Sequence, residues 1–246
     1  MIRILVVSDN APLVHFFQEE CISQDVNKIA KTVYRYTAPN KNPSSLIELG
    51  ATPIDMKNNQ TVAGFVNSYD LIFSLHCKQI FPAELVRTVR CVNIHPGLNP
   101  YNRGWYPQVF SIINGKPIGA TIHQMDHDID HGEVIDQLGV EILSSDTSLD
   151  VYSRILEAEK LLLRKNLINI VLGKYSATSP AFEGNYNSID DFKKLCELDY
   201  GNVGTLKDHI NLLRALSHGL FKNAYFFDDH ANKIFISVIL EKESVV

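Results

Sequence analysis

DLIFSLHCKQIFPAELVRTVRCVNIHP, Asp70–Pro96, reads as a strand, a short helix and a second strand. Leu71–Leu75 is a nearly unbroken apolar run, too short for a helix and typical of a strand buried on both faces. Pro82 then opens a helix, because its fixed φ and missing N–H suit a first helical turn. RCVNIH follows directly as another strand. Strand, helix and strand in succession predict parallel neighbours in one sheet. Such sheets bind ligands beyond the carboxyl ends of their strands. Here those ends read SLHCKQIFP and NIHPGLNP.

The alternation extends in both directions. Upstream, IRILVVS and KTVYRYTAP are strands and TPIDM is a short extended segment, separated by the helical stretches APLVHFFQEECISQ and SLIELGA. TVAGFVNS, just before the quoted stretch, is helical. Downstream come the helix YPQVFSIING, the strands IGATIHQMD and GEVIDQLGVEI, and a long helix from about Ser148 to its stop at Gly173. The fold class expected is α/β with a mostly parallel sheet. KYSATSPAFEGNYNS reads as a polar linker, which places a catalytic domain at 1–175 and a smaller region at 176–246. That region holds two helices, SIDDFKKLCEL and TLKDHINLLRALSH, and a hairpin over AYFFDDHANKIFISVILEKE, with DDHAN as its turn.

Composition narrows the function. A formal charge of −5 over 246 residues argues against a protein built to grip nucleic acid. The opening MIRILVVSDNAP is too short for a membrane span and reads as a first strand, so a soluble cytoplasmic protein is expected. Cys21, Cys77, Cys91 and Cys196 are scattered without paired spacing, which indicates neither a zinc knuckle nor a disulfide framework.

Asn93 and His95 lie two apart on one strand and so share a face. There an amide and an imidazole can both address one small carbonyl. A turn cap and a satisfied core histidine would account for the same residues with no chemistry at all. Downstream, TIHQMDHDIDHGEVIDQ carries three histidines and several carboxylates. His127 and His131 would share a helix face and suit a metal, but the run lies between strands and Gly132 interrupts it. The alternative joins this loop to Asn-x-His: an oxyanion donor, a proton carrier and a carboxylate partner equip a site for acyl transfer.

The order of these elements resembles the folate-dependent formyltransferases, whose hallmark is Asn-x-His-x-Ser-Leu-Leu-Pro, then a His strand, then Asp-x-Gly. Here it reads Asn93-Ile94-His95-Pro96-Gly97-Leu98-Asn99-Pro100, then His123, then Asp130-His131-Gly132. Gly97 and Asn99 replace the usual serine and second leucine, as in the sugar N-formyltransferase subgroup, which NIHPGLNPYNRGWYPQVFSI and the tail NLLRALSHGLFKNAYFF also resemble. The resemblance implies a Rossmann-like formyltransferase fold over roughly residues 1–175. It implies 10-formyltetrahydrofolate as donor, no metal, and Asn93, His95 and Asp130 as catalytic residues, with the base left open between His95 and Asp130. Lys78, Gln79, Phe81, Gly132 and Val134 are expected around the folate. Arg103, Trp105 and Tyr106, with Arg214 and Tyr225 from the tail, are expected around a nucleotide-linked amino sugar. The resemblance implies a dTDP-linked 4-amino-4,6-dideoxyhexose as that substrate, or else a dTDP-linked 3-amino sugar, used for O-antigen or another surface polysaccharide. The tail suggests a homodimer. Purine-intermediate and methionyl-tRNA formyltransferases, and a non-catalytic nucleotide-sugar binding protein, remain as alternatives.

Overall fold

The computed structural model describes residues 1–243. The chain forms β1 (Ile2–Ser8), α1 (Ala11–Ser23), α2 (Val26–Ile29), β2 (Ala30–Thr37), α3 (Ser44–Glu48), β3 (Thr52–Ile54), α4 (Asn59–Val66), β4 (Leu71–Leu75), α5 (Ala83–Thr88), β5 (Arg90–His95), β6 (Arg103–Gly104), α6 (Pro107–Asn114), β7 (Ile118–Gln124), β8 (Val134–Val140) and α7 (Ser148–Leu172). The tail adds β9 (Tyr186–Asn187), α8 (Ile189–Cys196), α9 (Leu206–Leu216), β10 (Tyr225–Phe227) and β11 (Lys233–Phe235). One seven-stranded sheet runs in the order β3-β2-β1-β4-β5-β7-β8. Its first five strands are parallel, and β7 and β8 continue antiparallel.

The central strands β1 and β4 bury both faces, which is why they are apolar nearly throughout. Ile4, Val6, Phe73 and Ile94 face one apolar cluster with α1 and α7, while Leu5, Val7, Ile72 and Cys91 face a second with Phe65 and Leu85. Helix α7 starts in a capping box, with the Thr147 amide donating to Asp150 Oδ2 at 2.8 Å, and stops at Gly173, whose φ of +68° needs no Cβ. No helix of the described residues is long and apolar enough to cross a membrane.

The tail does not stand apart. Phe192, Cys196, Ala215, Leu216 and Ala224 enter the same cluster as α7. The polar segment after Gly173 doubles back over the Asn-x-His turn: β9 pairs in parallel with β6, and Thr178 bridges Val134. Gly184 makes the closest approach, since a Cβ there would lie 1.9 Å from Pro100 O. The hairpin is shorter than expected, three residue pairs long. Beyond it the Val238 amide is diverted to Ser217 Oγ at 2.9 Å.

Candidate active site

β1 and β4 are neighbours from which the chain winds in opposite directions, so a crevice opens beyond their carboxyl ends. A cleft of about 350 Å³ lies there. Ser74, Asn93 and His123 occupy one cross-strand row of β4, β5 and β7, and this register brings Asn93 and His123 together. Asn93 Nδ2 donates to Asp130 Oδ1 at 2.9 Å and to His123 Nε2 at 3.2 Å. His123 Nδ1 donates to the Gln124 carbonyl at 2.7 Å, leaving Nε2 to accept. Asp130 Oδ2 accepts from the Gly104 amide at 3.2 Å and lies 3.4 Å from His95 Nδ1.

The turn after β5 aims these groups. Thr121 Oγ1 donates to Gly97 O at 2.7 Å and accepts from the Asn99 amide at 3.0 Å, and Gln137 Nε2 holds Asn99 O at 2.7 Å. Asn99 Nδ2 reaches across to Asp130 O at 2.8 Å. That bond steadies Asp130 in a left-handed conformation, φ +50°. Gly97 is required by contact: a Cβ there would lie 2.3 Å from His95 Nε2. The two departures from the family hallmark, Gly97 and Asn99, therefore position His95 and Asp130.

Electrostatics divides the pair. Burial lowers the His95 imidazole to about 4, and the Asp130 charge only partly opposes it. Burial also works against the Asp130 charge, but His95, His123 and the Gly104 amide outweigh it and bring the carboxyl to about 2. Near neutral pH the site thus holds a neutral imidazole beside a carboxylate. His95 Nε2 is buried without a partner, a lone pair with no protein donor.

The structure sorts the sequence-predicted ligand residues. Lys78, Gln79, Phe81, Trp105 and Tyr106 line the cleft with Asn93, His95 and Asp130. Gln79 is tied down on both sides, accepting from the Met56 amide at 2.9 Å and donating to Asp55 Oδ1 at 2.8 Å. Five others are not brought to the cleft. Arg103 is buried and turned toward a second cavity, where it pairs with Glu183 at 2.6 Å. Gly132 lines that same cavity, and Val134 pairs with His123 and bridges Thr178. Arg214 holds Leu143 O at 3.0 Å and Asp146 O at 2.7 Å, so it stitches the tail to the loop before α7. The Tyr225 hydroxyl donates to Glu197 at 3.0 Å, with Lys233 3.4 Å over its ring.

Sequence reasoning missed Asn10, Met125, Ile129 and Tyr152 as lining residues, and it placed His76 in the ligand loop without giving it a role. His76 carried a signal, since SLH ends β4 as NIH ends β5. Among the described residues no group of three or more His, Cys, Asp or Glu side chains is arranged to hold a metal. His131 pairs with Asp126 at 2.7 Å, and His127 lies beside Asp128 on the surface.

Residues 19–167 match the formyl transferase family, and residues 191–242 match the N-formyltransferase dimerization C-terminal domain. A dTDP-4-amino-4,6-dideoxyglucose formyltransferase of Mycobacterium tuberculosis is 50% identical over 184 residues, 75% of this chain and 79% of that one. A sugar N-formyltransferase from a Shewanella species superposes with a TM-score of 0.96 at 51% identity, covering 99% of this chain and all of that one. A 4-N formyltransferase from Francisella tularensis gives 0.91 at 44% identity, over 98% and 99% of the two chains. With Asn-x-His and Asp130 meeting in one cleft and this breadth of likeness, the chain belongs to the formyl transferase family and is a formyltransferase.

Proposed function

We propose that the chain transfers a formyl group from 10-formyltetrahydrofolate to the amine of a dTDP-linked 4-amino-4,6-dideoxyhexose. The observation that carries this reading is the meeting of Asn93, His95 and Asp130 in the cleft. The substrate class rests on the relatives, two of which are a dTDP-4-amino-4,6-dideoxyglucose enzyme and a 4-N formyltransferase. Phe81, Met125 and Ile129 supply apolar walls that suit a flat pterin.

Each group has a task. When the amine attacks, the formyl oxygen becomes an oxyanion, and the Asn93 amide donates to it by giving up its bond to His123. His95 Nε2 faces no protein donor and accepts from the attacking nitrogen, while Asp130 beside Nδ1 stabilises the charge that develops on the ring. The new C–N bond forms as the bond to N10 breaks, and N10 leaves with a proton. Much of the rate comes from holding amine and formyl carbon together.

The product would serve a surface polysaccharide such as O-antigen. A second copy would dock on the tail, in keeping with the dimerization match there. A cytoplasmic location is supported by four free cysteines. The test is tetrahydrofolate release with a panel of dTDP-amino sugars, glycinamide ribonucleotide and methionyl-tRNA. Release with the 4-amino sugar alone supports the reading. Binding of the sugar nucleotide with no release would favour a non-catalytic carrier.

A further inference from the structure

Beside Asn93 and His95, at the end of the neighbouring strand β4, the cleft wall contains a second buried cluster. His76 Nε2 lies 2.7 Å from Glu159 Oε1, and Glu159 is wholly buried in α7 with Oε2 unpartnered. His76 holds φ +55°, a strained conformation for a histidine, which costs stability unless the geometry is used or over-determined. Asn10 fixes its tautomer. Asn10 Oδ1 accepts from the Leu13 amide at 3.0 Å as a helix cap, so its Nδ2 must donate toward His76 Nδ1 at 3.1 Å. His76 Nδ1 is therefore an acceptor, and Nε2 carries the hydrogen toward Glu159. The Tyr152 hydroxyl lies 3.3 Å from the same Nδ1, and Asn10, His76 and Tyr152 all line the cleft.

Formyl transfer creates work for such a chain. A sugar amine enters as an ammonium near neutral pH, with a pKa of about 8 if it behaves like an α-amino group. Between ammonium and formamide its nitrogen loses two protons. One is matched by the proton that N10 gains on leaving, and the other must go elsewhere before attack, because an ammonium has no lone pair. Asp130 attracts the ammonium, but its carboxyl holds a proton only near pH 2, and the buried His95 imidazole is a weak acceptor as well.

Resting on the proposed function, we propose that Tyr152, His76 and Glu159 form a second proton path that strips the bound ammonium before attack. The ammonium donates to the Tyr152 oxygen, Tyr152 passes its own proton to His76 Nδ1 in place of the Asn10 donor, and His76 Nε2 hands its hydrogen to Glu159 Oε1, a carboxyl that burial holds above the usual range. Tyr152 ends as a neutral hydroxyl, and the proton count balances. His76 and Glu159 act through Tyr152, the member placed to touch the amine. The other titratable groups around the path are His95 at the end of the neighbouring strand β5, whose charge His76 opposes, and Tyr106 and His218 beside Tyr152. Burial keeps the Tyr152 hydroxyl protonated far above neutrality, so it relays protons rather than storing them.

The test is kcat/KM against pH for wild type, Tyr152→Phe, His76→Gln and Glu159→Gln, with the 4-amino sugar and 10-formyltetrahydrofolate. A variant without the path uses only the amine that is already neutral. At pH 6.5 the wild-type advantage should be roughly thirtyfold, and it should shrink toward one above pH 9. Tyr152→Phe keeps the ring and its packing, so it carries the test even if a variant in the buried pair does not fold. A ratio that is the same at every pH overturns the path and leaves the proposed function standing. No transfer to any amine by wild type overturns both.

Discussion

Asn93 carries the account at the scale of single residues, because its two amide hydrogens reach both Asp130 and His123. Asn93→Ala should lower kcat on the order of a hundredfold to a thousandfold while KM moves little, as for loss of one oxyanion donor. Steady-state kinetics decides it, and an unchanged kcat would remove Asn93 from the chemistry. Gly97→Ala should cost kcat through displacement of the His95 ring, which a Cβ would meet at 2.3 Å. His95 also makes a pH prediction. Its pKa falls from 6.5 in the unfolded chain to about 4 in the fold. Between those values the unfolded chain binds a proton that the fold refuses. The stability owed to His95 is therefore complete above pH 6.5 and is lost as pH falls toward 4. An NMR titration of the ring should show no midpoint between pH 5 and 8. Asn93 and His95 were legible because a strand's period of two put them on one face. Asp130 was legible through the family hallmark alone. Arg214 misled because an arginine's type does not tell which carbonyls its fork will meet, and here it meets Leu143 and Asp146.

At the scale of elements, the antiparallel strands β7 and β8 extend the sheet and set the register that pairs Asn93 with His123 and Thr121 with Gln137. Gly119 permits their close approach, since a Cβ there would lie 2.1 Å from Leu138 O. Gly119→Ala should cost about 1–3 kcal/mol of stability, the range for forced overpacking, as a lower urea midpoint with unchanged m. A midpoint at the wild-type value would contradict this contact. The strand–helix alternation of the first half was readable from apolar runs and from Gly and Pro punctuation. The β6–β9 pair was not, since two strands of two residues leave no periodicity and pair residues 83 positions apart. The hairpin was overdrawn because ISVIL alternates like a strand, yet Ser217 captures Val238.

For the whole molecule, the parallel half of the sheet supplies the crevice, the antiparallel half supplies His123, and the tail shares the core of α7. Leu220 and Phe221 are left exposed on the tail, at 100% and 69%. Replacing both with Asp should convert a dimer to a monomer in sedimentation, if this face is where a second copy docks. A dimer unaffected by that change would move the interface elsewhere. The central claim is that the Asn93, His95 and Asp130 cluster performs formyl transfer to a dTDP-linked 4-amino sugar. Its most direct measurement is single-turnover transfer from 10-formyltetrahydrofolate to that sugar by wild type and Asp130→Asn, with sugar-nucleotide affinity measured on the same samples. The account predicts a formamido product from wild type, and transfer lost in Asp130→Asn with affinity retained. Full-rate transfer by Asp130→Asn, or none by wild type despite tight binding, would contradict it.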